Sequence, residues 1–95
     1  MRADDITQKQ GLTGKIGETA VAVYRDTDEL FVFENTCPHL QCPLAWNEDD
    51  GVWDCPCHNS RFSPEGDLLR GPARQPLRRL PFEVDDGEIK LLSRE

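Results

Sequence analysis

The sequence predicts an all-β domain built from short antiparallel strands. Segments rich in valine and aromatic residues alternate with turn signals containing Gly, Pro, Asn or Asp, which is the pattern of β-hairpins. No window carries apolar residues at helical spacing over three turns, so an α-helix is not predicted. The chain has 95 residues, the length of one small domain.

Two hairpins are predicted, one towards each end of the chain. Thr19–Tyr24 and Leu30–Glu34 are rich in Val, Ala and Phe, and a polar turn separates them. Near the C-terminus, Leu80–Val84 and Ile89–Leu92 flank the turn signal Asp85–Glu88.

The middle of the chain is predicted to be loop-rich, with one clear strand. Asn47–Gly51 is a turn signal and precedes the short strand Val52–Cys55. A further tight turn is predicted at Ser63–Gly66, where Pro suits an early turn position and Gly suits a positive φ.

Charge and hydropathy exclude several classes of partner. Eighteen acidic side chains outnumber eleven basic ones, so the formal net charge is −7. A nucleic-acid partner is not expected, because phosphate binding needs a basic surface. The longest apolar run, Ala20–Tyr24, is too short for a membrane span or a signal peptide. We expect a cytoplasmic monomer, unless the chain is a processed or truncated form.

All six cysteines and histidines lie between positions 37 and 58. They are Cys37, His39, Cys42, Cys55, Cys57 and His58. Four cysteines in a small secreted protein would indicate disulfides, whereas interleaved histidines favour a metal site.

The spacing of these residues resembles that of Rieske [2Fe–2S] proteins. Cys37 and His39 form C-x-H, fifteen residues follow, and Cys55 and His58 form C-x-x-H. Cys42 and Cys57 match the subgroup in which a disulfide joins the two loops. Gly71, Pro72 and Ala73 resemble the third loop, which covers the cluster.

The resemblance implies one Rieske domain over residues 1–95. A cluster-binding subdomain at about 36–75 would be inserted into base strands at 1–35 and 76–95, as an antiparallel sandwich or barrel. Nothing in the sequence resembles a catalytic site, so the chain is expected to be an electron carrier rather than an enzyme on its own.

The resemblance also implies the ligands and their surroundings. Cys37 and Cys55 would hold one iron of a single [2Fe–2S] cluster, and His39 and His58 the other, which raises the potential above that of all-Cys ferredoxins. The residues expected around the cluster are Leu40, Ser60, Phe62 and Pro72.

Two of these neighbours bear on the potential. Ser60 occupies the position whose hydroxyl donates a hydrogen bond to a bridging sulfide. Phe62 stands where respiratory members carry a tyrosine that bonds a ligand sulfur. We therefore predict a potential below the respiratory type but above that of oxygenase ferredoxins.

Several alternatives stay open from the residues themselves. A zinc site uses the same ligand types, although C-x-H is an unusual half-site and a tetrahedral site takes only four ligands. Two structural disulfides with idle histidines are a second alternative. Cys42 and Cys57 could also be buried thiols without a special role. Phe62 could be an ordinary core aromatic residue, and Pro72 could be an ordinary turn proline.

The expected role is one-electron transfer as a soluble ferredoxin-like carrier for an oxidoreductase. Its partners would be a reductase, an oxygenase, a cytochrome or a flavoenzyme. The alternatives are a Rieske domain of a larger flavin-dependent oxidoreductase and a redox-sensing iron–sulfur module.

Overall fold

The computed structural model describes residues 1–36, 42–57 and 59–92. Among these residues it contains nine strands in three antiparallel sheets and no α-helix, with one short 3₁₀ turn at Ala3–Asp5. The predicted all-β fold class is thereby confirmed. The strands are β1 (Gln10–Ile16), β2 (Thr19–Arg25), β3 (Leu30–Glu34), β4 (Ala45–Asn47), β5 (Val52–Cys55), β6 (Ser60–Phe62), β7 (Leu68–Arg70), β8 (Phe82–Asp85) and β9 (Glu88–Leu91).

The first sheet has the order β1-β2-β3 and contains the predicted N-terminal hairpin. Tyr24 pairs with Phe31 and Val23 with Val32 across β2 and β3. Strand β1 was not predicted, because two glycines and several polar residues hide its alternation. Its strand conformation depends on pairing with β2 along its whole length.

The second sheet, β4-β5-β6-β7, contains the predicted strand Val52–Cys55 with the predicted bounds. The other three strands have three residues each, too few to show a periodic pattern in the sequence. The predicted turn at Ser63–Gly66 is present, since the Gly66 amide donates to the Ser63 carbonyl at 2.9 Å. Gly66 has a φ of 98°, a conformation that favours glycine.

The third sheet is the predicted C-terminal hairpin, β8-β9. Its first strand begins at Phe82 instead of Leu80. The reason is that Pro81 has no amide hydrogen for a ladder, and the Leu80 amide donates instead to the Val32 carbonyl at 2.9 Å. Asp86 and Gly87 both have positive φ, as the tight hairpin turn requires.

Strand β2 lies between two hydrophobic clusters. Ala22 and Tyr24 belong to the cluster that includes Trp53 of the second sheet. Val21 and Val23 belong to the cluster that includes Ile89 of the third sheet. The first sheet is thus buried on both faces along β2, and the second sheet is anchored to one of those faces.

Candidate metal centre

The predicted cluster ligands are only partly within the described residues. Cys37, His39, Leu40 and His58 lie outside them. Cys55 is described, and it ends β5 with its side chain 1% exposed, in contact with the hydrophobic core. A thiolate at this position is shielded from bulk water by the protein.

The loop that follows β5 is closed by its own backbone. Cys55 and Ser60 are paired in register at the start of the β5–β6 ladder. The Asn59 amide donates to the Cys55 carbonyl at 2.8 Å, and Asn59 adopts a φ of 64°, which asparagine tolerates better than most residues. Cys55, Asn59 and Ser60 therefore lie close together at one end of the second sheet.

A disulfide between Cys42 and Cys57 ties this loop to the segment that precedes β4, with a Cα–Cα distance of 6.4 Å. This is the pairing that the Rieske resemblance implied. The bond uses two of the four cysteines, so only Cys37 and Cys55 can supply thiolates to a metal.

Ser60 is completely buried and is bonded to the third loop. Its Oγ accepts a hydrogen bond from the Ala73 amide at 3.0 Å. Because the hydroxyl accepts this bond, its own hydrogen remains available to donate to another acceptor. The third loop is thereby held against the strand that begins with Ser60.

The other two predicted neighbours differ in exposure. Phe62 is completely buried and packs in the same hydrophobic cluster as Trp53 and Cys55. Pro72 is exposed, while the next residue, Ala73, is buried. A role for either residue beside a cluster stays a prediction.

The structure contains an ionic network next to the Cys55–Ser60 pair that was not predicted from the sequence. Arg61 Nε lies 2.9 Å from Asp54 Oδ1, and Arg61 Nη2 lies 2.8 Å from Asp50 Oδ2. Asn47 Nδ2 donates to the other Asp54 oxygen at 2.9 Å. Asp54 and Arg61 are also paired in register, so the network stabilises the two strands next to the Cys55–Ser60 pair.

Trp46 packs against the first sheet and connects it to the second. Its ring centroid lies 5.3 Å from that of Tyr24 and 5.0 Å from that of Trp53. A Cβ atom on Gly11 would lie 2.6 Å from the Trp46 ring, so the indole occupies space that only glycine leaves open.

Comparison with known proteins decides the family. Residues 1–81 match the Rieske [2Fe-2S] domain. The chain belongs to the Rieske family. Its cofactor is the Rieske-type [2Fe–2S] cluster, and the domain acts as an electron carrier.

Two curated relatives are each 38% identical to this Rieske chain. The Rieske 2Fe-2S iron-sulfur protein YhfW of Bacillus subtilis aligns over 81 residues, 84% of this chain and 16% of the relative. The cytochrome b6-f complex iron-sulfur subunit 3 of a Nostoc strain aligns over 79 residues, 83% of this chain and 44% of the relative. The chain thus spans less than half the length of these relatives.

A solved structure shows the same fold over nearly the whole length of both chains. The plasma membrane Rieske protein PetC3 from Synechocystis superposes with a TM-score of 0.80 at 26% identity, covering 97% of this chain and 95% of that one. No helix in the described part of this Rieske domain is long and apolar enough to cross a membrane.

The described residues fit the cofactor of the family. The disulfide takes up Cys42 and Cys57, and the two other cysteines of the sequence equal the number of thiolates that a cluster with two Cys and two His ligands needs. One of those thiols belongs to a buried residue whose strand partner carries a hydroxyl with a hydrogen to donate.

Proposed function

We propose that this chain transfers single electrons as a soluble ferredoxin-like carrier for an oxidoreductase. Cys37 and Cys55 would hold one iron of the cluster, and His39 and His58 the other. When bound, a Rieske cluster stores one electron at roughly −150 to +300 mV. The proposal rests above all on the Cys55–Ser60 pair, which places a buried cysteine next to a buried hydroxyl donor.

The described residues have distinct parts in this function. Cys55 is buried in the hydrophobic core, and this burial limits the access of water to its sulfur. Ser60 would stabilise the reduced state by donating a hydrogen bond, because its oxygen is already fixed by the Ala73 amide. The disulfide keeps the loop after β5 close to the segment before β4.

We also propose that residues 36–75 form a cluster-binding subdomain on a base made of residues 1–35 and 76–95. The separate sheet β4-β7 supports this division, because its hydrogen-bonded ladder does not extend into either of the other sheets. The base would then supply the rigid support against which Trp53 and Phe62 pack.

The ligand set is tested by spectroscopy on the protein after iron and sulfide reconstitution. We expect a coloured protein with the paramagnetic resonance signature of a two-His-ligated cluster, whereas a zinc site would be colourless. His39→Ala and His58→Ala should each abolish that signature, and Gln41→Ala, in the same sequence segment, should retain it. A signature that survives either histidine substitution would overturn the assignment.

The proposed partner is a cytoplasmic redox protein, namely a reductase, an oxygenase, a cytochrome or a flavoenzyme. The existence of a relative named as a cytochrome b6-f subunit supports electron exchange between this domain and other redox proteins. Crosslinking in cells, followed by mass spectrometry, should recover such a protein and should find the chain itself as a monomer.

A second candidate is a Rieske domain within a larger flavin-dependent oxidoreductase. This candidate is favoured by the length of the B. subtilis relative, because the segment that matches this chain makes up only 16% of that protein. An antibody against the domain should detect a species of 10.8 kDa in cells if the chain is a separate carrier. A species several times larger would favour the second candidate.

A further inference from the structure

The end of the second sheet that carries Cys55 is positively charged, although the chain as a whole is acidic. Strand β5 ends there, β6 begins there and β7 ends there with Arg70. We define the cluster end as the described residues 42–44, 55–57, 59–60 and 69–76. It contains Arg70 and Arg74 and no carboxylate, so all eighteen acidic side chains lie elsewhere.

Both arginines are exposed and lack a carboxylate partner within residues 1–36, 42–57 and 59–92. Arg70 is held in place by a neutral acceptor, since its Nε donates to the Asn59 carbonyl at 3.0 Å. By contrast, Arg61 and Arg78 both contact carboxylates. The positive charge at the cluster end is therefore not neutralised locally.

The acidic residue next to Cys55 in the same sheet, Asp54, is neutralised by its contact with Arg61, and the exposed acidic group of that sheet lies at its opposite end. Glu48, Asp49 and Asp50 are exposed in the turn between β4 and β5, where β5 begins, whereas Cys55 is where β5 ends. This arrangement gives the sheet a positive cluster end and a negative far end. Such a field orients a charged partner before contact.

Apolar surface accompanies the charge. Leu69 is 58% exposed, the largest value among the described large hydrophobic residues, and it precedes Arg70. Pro72 is exposed in the following loop. An apolar contact area bordered by arginines suits a small, transient interface.

We propose that the cluster end docks an acidic surface of a redox protein, with Arg70 and Arg74 facing carboxylates of that partner. The inference rests on the proposed function, because the electron would leave the domain near Cys55. Docking at this end would bring the acidic partner to the buried cysteine and turn the carboxylate-rich remainder of the molecule away from it.

The test measures electron transfer from the reduced, cluster-loaded protein to two forms of one acceptor. Native cytochrome c is basic, and succinylated cytochrome c is acidic. Arg70→Glu/Arg74→Glu is compared with Lys15→Glu/Lys90→Glu, which changes the net charge equally at exposed positions in β1 and β9. The potential of each variant is measured, so that rates are compared at equal driving force.

We expect the arginine variant to react about tenfold more slowly with the acidic acceptor and faster with the basic one, whereas the lysine variant changes either rate less than twofold. The wild-type rate with the acidic acceptor should fall as ionic strength rises above about 0.1 M, where the Debye length is about 10 Å or less. Equal effects of the two variants, or a wild-type rate that rises with salt, would overturn the proposal. A protein without the cluster spectrum would instead contradict the proposed function.

Discussion

Cys55 and Ser60 are direct partners across β5 and β6. The register of this one strand pair therefore fixes the position of the proposed thiolate ligand relative to the proposed hydroxyl donor. Ser60 in turn accepts the Ala73 amide and fixes the third loop. The hydroxyl therefore links two segments of the site that are separated by thirteen residues in sequence.

Ser60→Ala should lower both the potential and the stability. The substitution removes the proposed donor to the reduced cluster and leaves the buried Ala73 amide without its acceptor, which costs about 1–3 kcal/mol. Potentiometry and urea unfolding measure the two effects. Ser63→Ala is the control, because Ser63 Oγ accepts the Asp67 amide at an exposed position, and it should leave the potential unchanged.

Phe62→Tyr should raise the potential by adding a hydroxyl that can bond a ligand sulfur. Phe62 is completely buried in the hydrophobic cluster that also contains Cys55. The control is Phe33→Tyr, which also adds a hydroxyl at a fully buried phenylalanine but on β3. Potentiometry of both variants should show a rise for Phe62→Tyr alone, and no change or a fall there would contradict the role assigned to this position.

The contact between Arg61 and Asp54 should contribute measurably to stability. Its atoms lie 2.9 Å apart and both side chains are about 30% exposed or less, so we expect a coupling free energy of up to about 1 kcal/mol, the upper end for a partly exposed ion pair. A double-mutant cycle with Arg61→Gln and Asp54→Asn measures it by urea unfolding. The same cycle on Arg78 and Glu34, whose atoms are 3.9 Å apart at an exposed site, should give a value close to zero.

Gly11→Ala should destabilise the fold by about 1–3 kcal/mol, because the new methyl group would collide with the Trp46 ring. Gly14→Ala is the matched control on the same strand, since its Cβ would meet only the flexible end of Met1. Thermal unfolding of both variants measures the difference. Equal melting temperatures would show that Trp46 moves aside without loss of packing.

Replacing both Cys42 and Cys57 by serine should lower the free energy of unfolding by about 3 kcal/mol, the value expected for a closed loop of about 15 residues. Urea unfolding of the variant and of wild type measures the loss. Treating wild type with a thiol reductant should reproduce it and should leave the variant unaffected. If the reductant lowers the stability of both proteins equally, its effect does not arise from this bond.

The hairpins could be predicted from sequence because each consists of two segments rich in apolar, largely β-branched or aromatic residues, separated by a short turn signal. Strands β4, β6 and β7 could not, because three residues do not define a period and their conformation depends on neighbours in the sheet.

The cysteine pairing followed from a resemblance, whereas the Arg61–Asp54 and Arg70–Asn59 contacts did not. These contacts depend on which residues the β5–β6 and β6–β7 registers bring together, including a shift in register between Arg61 and Phe62. A local pattern of charges contains no information about such a register.

Strand β2 has no solvent-facing side along Val21–Tyr24. Opening either hydrophobic cluster would expose this strand, so neither half of the molecule can unfold and leave the other intact. Backbone amides of β2 should therefore exchange with deuterium only when the whole chain unfolds, and their exchange rates should report the global stability of the domain.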